Sequence, residues 1–219
     1  MPSEQSDARA SWHSMKEEEK PEVTVDFYKK LVTVGDGGCG KTSLLSTYIT
    51  GVFPESLRAT VFNTVITEVN LGKKKQVRLS LCDTAGQETY DVLRTRSYAD
   101  TDVVVILFSI DAPESLDNVE VRWSPEVKHF SPKVPILLVG NKKDLREDPE
   151  TIEVLRERRQ SPVTYRQGLA VAKKIKAKGY LECSAKDGTG VSEVIMKACR
   201  LAIGRTRFNF FAKLCCSYN

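Results

Sequence analysis

The chain has 219 residues, a net charge of +4, 41% hydrophobic and 28% charged residues, enough for one domain with a substantial core and the balance of a soluble globular protein. No apolar run reaches the roughly 20 residues of a membrane span, "MPSEQSDARASWHSMKEEEK" lacks the apolar centre of a secretory signal, and so small a positive charge makes no case for nucleic acid. The expectation is a cytosolic monomer that binds no nucleic acid. The six cysteines, Cys39, Cys82, Cys183, Cys199, Cys215 and Cys216, show neither metal-binding spacing nor a disulfide pattern. Most read as small buried hydrophobes; the last two stand apart, near the end of the chain.

Residues 1–26 hold seven acidic and three basic side chains and little that could be buried, so a disordered extension is expected there. Order is expected from Phe27, with FYKKLVTVG a strand ending at Gly35 and KTSLLSTYIT a helix. VFNTVITEVN and QVRLSLCD read as two strands of a hairpin joined through LGKKK, with Gly72 in its turn. DVVVILFSI and PILLVGN are apolar, β-branched runs of the kind covered on both faces. ESLDNVEVRWSPEVKHF, PVTYRQGLAVAKKIKA and GVSEVIMKACRLA carry helical spacing, and YLECSA is a last short strand. Strands alternating with helices predict an α/β domain over 27–203, with a six-stranded, mostly parallel sheet and helices on both faces. Residues 204–219 are expected to form a flexible tail. Such sheets bind ligands beyond the carboxyl ends of their strands, and the chemically telling motifs all follow strands.

The first motif is GDGGCGKT, Gly35 to Thr42, a phosphate-loop pattern between a strand and a helix. Its glycines let backbone N–H groups turn inward, and the helix start adds partial positive charge. Gly35, Asp36, Gly37, Gly38, Cys39, Gly40, Lys41, Thr42 and Ser43 form the predicted cradle. Lys41 would neutralise β- and γ-phosphates, and Thr42 would place its hydroxyl on Mg²⁺. Cys39, beside Lys41, could be an oxidisable thiol or a small loop filler, and the filler is favoured. The second motif is DTAGQE, where Asp83 suits a water of the Mg²⁺ shell, Gly86 can offer an N–H to a γ-phosphate, and Gln87 can orient a water for in-line attack. The third is NKKD. The Asp144 carboxylate can accept from guanine N1–H and the exocyclic amine, a donor pair that adenine lacks. Lys142 could lie along the base, and Asn141 could tie this loop to the phosphate loop. The fourth is CSAK, with Ser184, Ala185 and Lys186, where the Ala185 N–H could meet guanine O6.

In this order, GDGGCGKT, Thr60, DTAGQE, NKKD and CSAK resemble a small GTPase of the Ras superfamily. Three further stretches are similar to its Rho family: FPESLRATVF to the first switch, RWSPEVKHF to the third helix, and REDPETIEVLRERRQSPVTYRQG to the charged Rho insert helix, here about residues 146–162. The resemblance spans residues 28 to about 203. It implies the P-loop small-GTPase fold, GTP/GDP and Mg²⁺ as ligands, and slow GTP hydrolysis as a signalling switch, with actin organisation the expected output. It implies that Phe53 packs edge-on against guanine, that Thr60 joins the metal beside Thr42 and Asp83, and that Gln87, Lys41 and Thr60 make up the catalytic set. Gly37 would leave room for an arginine from an activating protein, and residues 53–64 and 86–98 would be the switches. Implied partners are exchange factors, activating proteins, effectors and a GDP-dissociation inhibitor.

The chain departs from that pattern in its first switch. Leu57 stands where Rho proteins usually carry a tyrosine over the phosphates, Ala59 replaces a proline, and Asn63 replaces an acidic residue that many effectors contact. Cys82 replaces an aromatic before Asp83. These departures keep a rival open, a GTP-loaded binding module with little hydrolysis; Gln87 and Gly37 speak against it. The charged insert reads equally as a solvated amphipathic helix. After Gly204 the tail has three basic and no acidic residues. Cys216 has the position of a prenylation site, although Tyr218 and Asn219 fit that signal poorly. Lipidation there, helped by Cys215, would hold the protein at the cytoplasmic face of the plasma membrane; the alternative is an unmodified tail. With no tyrosine lid at position 57, GDP is expected to leave quickly. Stopped-flow release of a fluorescent GDP should be slower in Leu57→Tyr, and equal rates would remove the idea.

Overall fold

A computed structural model describes residues 25–55, 62–72, 76–86 and 90–216. Thr60, Gln87, Leu57, Ala59 and the extension over 1–24 lie outside the described residues. The elements in order are β1 (Val25–Gly35), α1 (Lys41–Thr50), β2 (Phe62–Asn70), β3 (Gln76–Thr84), α2 (Asp91–Ser97), β4 (Val103–Ser109) and α3 (Pro113–Asn118). A π turn (Val119–Trp123), α4 (Ser124–Phe130), β5 (Ile136–Asn141), a 3₁₀ turn (Lys143–Arg146), α5 (Pro149–Glu157), α6 (Tyr165–Lys174), β6 (Tyr180–Glu182) and α7 (Val191–Cys216) complete the elements of the described residues.

The six strands lie in the order β2-β3-β1-β4-β5-β6. Only the β2–β3 pair is antiparallel; β1 lies parallel to both β3 and β4, and β5 is parallel to β4 and β6. This is the predicted six-stranded, mostly parallel sheet, and it has the P-loop small-GTPase fold. β4 shows why it forms. All seven of its residues are buried, and successive side chains point to opposite faces. Val103, Val105 and Leu107 join the core under α1 and α7, with Leu44, Ile195 and Ala198. Val104, Ile106 and Phe108 join the core on the other face, with Trp123, Val127 and Ile175. Each fully buried side chain of this kind stabilises the fold by about 1.5–3 kcal/mol, so the two cores clamp the central strands from both sides.

Local chemistry sets the helix boundaries. Thr164 and Gln167 form a reciprocal capping box at the start of α6, the Thr164 hydroxyl accepting from the Gln167 N–H and the Gln167 side chain accepting from the Thr164 N–H. Asp148 caps α5 by accepting from the Thr151 N–H at 2.8 Å, with Pro149 at the first helical position.

Four features depart from the sequence reading. β1 begins at Val25 instead of Phe27, because Val25 pairs with Gln76 across the sheet. The insert helix covers Pro149–Glu157 instead of 146–162; a 3₁₀ turn precedes it, and Arg159 beyond it takes a left-handed φ of 57° that no helix continues through. α2 was not foreseen as a helix. α7 runs to Cys216, where a flexible tail from 204 was expected; neither glycine nor proline follows Gly204 within it to stop the helix. Among the described residues no helix is long and apolar enough to cross a membrane.

Two glycines test the packing from opposite sides. A Cβ at Gly168 in α6 would lie 2.1 Å from the Tyr180 hydroxyl oxygen and 2.3 Å from its ring carbon, whereas one at Gly204 in α7 would meet nothing within 4 Å. Gly168→Ala should lower stability by about 1–3 kcal/mol through overpacking, and Gly204→Ala should raise it by about 0.5–1 kcal/mol through helix propensity. Urea unfolding of the two variants measures both.

Candidate functional site

The loop after β1 is wound tightly around one side chain. Lys41 is buried to 6% exposure, and its ammonium donates to the carbonyls of Gly35 and Asp36, both at 2.7 Å. Gly40 just before it takes a left-handed φ of 86°, and a Cβ there would lie 2.3 Å from Asn141 Nδ2. Only glycine suits both demands. Cys39 is buried within the loop, and burial raises its thiol pKa despite Lys41 nearby. It is the loop filler of the sequence reading.

Next to the loop, the Thr42 hydroxyl donates to Asp83 Oδ2 at 2.6 Å, and Asp83 is 4% exposed. A hydroxyl and a carboxylate facing each other across a phosphate loop are hard oxygen donors, the kind that suits Mg²⁺. No group of three or more His, Cys, Asp or Glu residues placed to hold a metal ion exists among the described residues. A magnesium that takes one or two protein oxygens, with phosphates and waters for the rest, needs none. The residues present therefore fit the ion. Gly86 lies against the loop: a Cβ there would be 2.4 Å from the Gly37 nitrogen and 2.6 Å from the Gly35 oxygen.

The carboxyl ends of β5 and β6 supply the rest. Asn141, 1% exposed, donates from Nδ2 to the Cys39 carbonyl at 3.0 Å and accepts on Oδ1 from the Ala185 N–H at 3.2 Å. Lys142 has a left-handed φ of 60°, and its ammonium pairs with Asp111 at 3.1 Å. The Ser184 hydroxyl donates to Asp144 Oδ1 at 2.6 Å and so sets the direction of that carboxylate. The Thr47 hydroxyl of α1 donates to the Ala185 carbonyl at 3.0 Å, which draws the CSAK loop onto the helix behind the phosphate loop.

These elements enclose a cavity of about 510 Å³, the size of a nucleotide-class pocket. Of the predicted residues, Gly37, Gly38, Gly40, Lys41, Thr42, Ser43, Phe53, Gly86, Asn141, Lys142, Asp144, Ala185 and Lys186 line it. Gly35, Cys39, Asp83 and Ser184 stand behind the wall and position it. Asp36 belongs to the loop by its backbone, and its side chain turns away from it. Its carboxylate accepts from Asn118 Nδ2 and Trp123 Nε1, each at 2.7 Å, and only its backbone carbonyl serves the loop, through Lys41. Thr60 and Gln87 lie outside the described residues. Thr84, Ala85 and Leu145 line the cavity without having been predicted; each directly adjoins a motif residue, which was the available signal.

Comparison with known proteins gives the family. The Ras family matches residues 30–203. The GTP-binding protein rho4 of Schizosaccharomyces pombe is 52% identical over 188 residues, covering 85% of this chain and 92% of that protein. A phosphate loop, a hard-oxygen pair and a guanine-type specificity loop around one cavity, joined to a match of that length, lead to one assignment: the chain belongs to the Ras family, as a Rho-type small GTPase that binds GTP and GDP and hydrolyses GTP.

Proposed function

We propose that this GTPase is a Mg²⁺-dependent switch in signalling to the actin cytoskeleton, read by effectors in its GTP state. The observation that carries the residue roles is the buried amide of Asn141, which bonds the phosphate loop on one side and the Ala185 N–H on the other. It makes the base-reading and phosphate-holding halves one rigid unit. In this reading Asp144, aimed by Ser184, accepts from guanine N1–H and the exocyclic amine. The Ala185 N–H meets O6, Lys142 and Phe53 flank the base, and Lys186 borders it. The N–H groups of the phosphate loop and Lys41 take the β- and γ-phosphates. For that, Lys41 exchanges the Gly35 and Asp36 carbonyls for phosphate oxygens.

Thr42 and Thr60 would hold the metal directly, and Asp83 would hold it through a water. Magnesium, when bound, would spread the charge on the β- and γ-oxygens. Gln87 would orient a water whose oxygen bonds to the γ-phosphorus as the bond to the β–γ bridging oxygen breaks; GDP departs with that oxygen, and the water's protons end on the released phosphate or in solvent. Turnover without help would be slow, since no arginine of the first switch, Arg58 included, is expected to serve as a finger. An arginine supplied in trans past Gly37 would add about 10³–10⁵-fold. Exchange factors, activating proteins, effectors and a GDP-dissociation inhibitor are the partner classes. The basic C-terminal segment, lipidated at Cys216 or Cys215, would keep the protein at the cytoplasmic face of the plasma membrane.

The reading is tested on nucleotide identity and on the fate of GTP. Asp144→Asn should lose GDP affinity by at least about 100-fold and lose its preference for guanine over adenine, with its melting temperature kept. Isothermal titration with GDP and ADP measures this, and unchanged discrimination would refute the assignment of Asp144. In single-turnover assays a Rho-type activating domain should accelerate hydrolysis by the wild type and fail to accelerate Gln87→Leu. Equal stimulation of both would refute the role of Gln87.

A further inference from the structure

The π turn between α3 and α4 places two side chains on one target. Asn118 stands just before the turn and Trp123 is its last residue, five positions on. On a regular α-helix, at about 100° per residue, they would point about 140° apart. The i→i+5 bonding of a π turn returns residues five apart to the same face. Both donors then meet the Asp36 carboxylate, Asn118 Nδ2 on Oδ2 and Trp123 Nε1 on Oδ1, each at 2.7 Å. Hydrogen bonds to an ionised acceptor are the short and strong kind.

The indole is itself immobile. Trp123 is fully buried, with the Arg94 guanidinium 4.9 Å and the Arg122 guanidinium 4.6 Å from its ring centroid. Arg94 is 1% exposed and forks onto Glu126 at 2.8 and 2.7 Å. The second donor to Asp36 is thus a fixed point in the second core and not a passing surface contact.

We infer that Asn118 and Trp123 are positioning residues for nucleotide retention, which hold the phosphate loop in shape by anchoring the Asp36 carboxylate away from the phosphates. This rests on the reading of the loop as the phosphate site. Asp36 lies between Gly35 and Gly37, and its carbonyl is one of the two that receive Lys41. Anchored, its negative charge is drawn off to the α3 side and its peptide keeps its orientation. Released, the carboxylate is free to swing toward the phosphates, a like charge at short range, and the flanking glycines offer no stiffness of their own.

The test uses the full chain loaded with a fluorescent GDP and chased with excess GDP. Trp123→Phe keeps an aromatic side chain but removes the Nε1 donor together with part of a buried ring, so its cavity effect is read from the Asp36→Ala background; Asn118→Ala removes the Nδ2 donor. Each should speed GDP release about tenfold, the order set by losing a hydrogen bond to a charged group. In an Asp36→Ala background neither substitution should change the rate further, because their effect passes through that carboxylate. A structural role alone would not produce that loss of additivity. Asn118→Asp, similar in size, should speed release more than Asn118→Ala, because it sets a second carboxylate against that of Asp36. Release at the wild-type rate in the single variants overturns the inference, as does equal acceleration with and without Asp36. A wild type that takes up GDP normally in those same assays leaves the nucleotide site standing; one that takes up none overturns both.

Discussion

The nucleotide site hangs from one buried side-chain amide. Asn141 ends β5, inside the sheet, where its donor and acceptor must be satisfied by protein. It meets that requirement by gripping the phosphate loop at Cys39 and the CSAK loop at Ala185. In a low-dielectric interior such bonds are strong when made, and costly when broken, by about 1–3 kcal/mol for an unsatisfied group. The amide also dictates sequence nearby. It fills the space where a Cβ on Gly40 would stand, so position 40 must be glycine. That glycine supplies the left-handed turn from which α1 starts, and α1 starts with Lys41 and Thr42. The placing of Lys41 and of the hydroxyl opposite Asp83 thus follows from a contact with the end of β5.

The charge arrangement around the loop is provisional in the same physical sense. A buried lysine is tolerated because carbonyls accept from its ammonium. Those carbonyls are weaker partners than phosphate oxygens carrying formal charge, so in the proposed reading Lys41 would exchange them for phosphate with little reorganisation, the kind of preorganisation that stabilises charge at phosphoryl-transfer sites. Thr42 and Asp83 show the same economy: their 2.6 Å bond keeps the two oxygens together in a place where a hard cation fits.

Much of this was legible in the sequence because the carriers are local. A strand buried on both faces is an unbroken apolar run, as in VVVILFS, and a phosphate loop must place glycines at fixed distances from its lysine. Fold class and most of the cavity lining follow from such short patterns. What escaped depends on contacts between distant segments. Nothing in SLDNVEVRW announces a π turn; the reason for it is the convergence of Asn118 and Trp123 on Asp36, more than eighty residues earlier in the chain. Asp36 enters the predicted cradle through its backbone, and the direction of its side chain, onto Asn118 and Trp123, is set by the fold. α2 is a short helix whose buried residues include Arg94, so its pattern carries a charge where a core residue would be sought. The insert helix was overextended because charge runs do not mark where a helix stops, and Arg159 does so by its backbone.

The insert is held at its ends more than by its packing. α5 buries only Leu155 among its residues, so packing alone holds it weakly. Its ends are fixed instead. Arg146, just before it, forks onto Glu182 of β6 at 2.8 and 2.6 Å and donates from Nε to the carbonyl of Val163, just after it. Burial works against the charge on Glu182, yet the Arg146 bonds and the Tyr180 hydroxyl hold its pKa below the usual carboxylate range. A carboxylate so depressed stabilises the fold above its unfolded-state pKa, and that contribution is lost only as pH falls through the lower folded value. At neutral pH the clamp is therefore fully engaged. It closes the insert into a loop whose two ends sit on β6 and on the start of α6, and the solvent-facing side chains between them can change with little strain passed to Lys142 and Asp144.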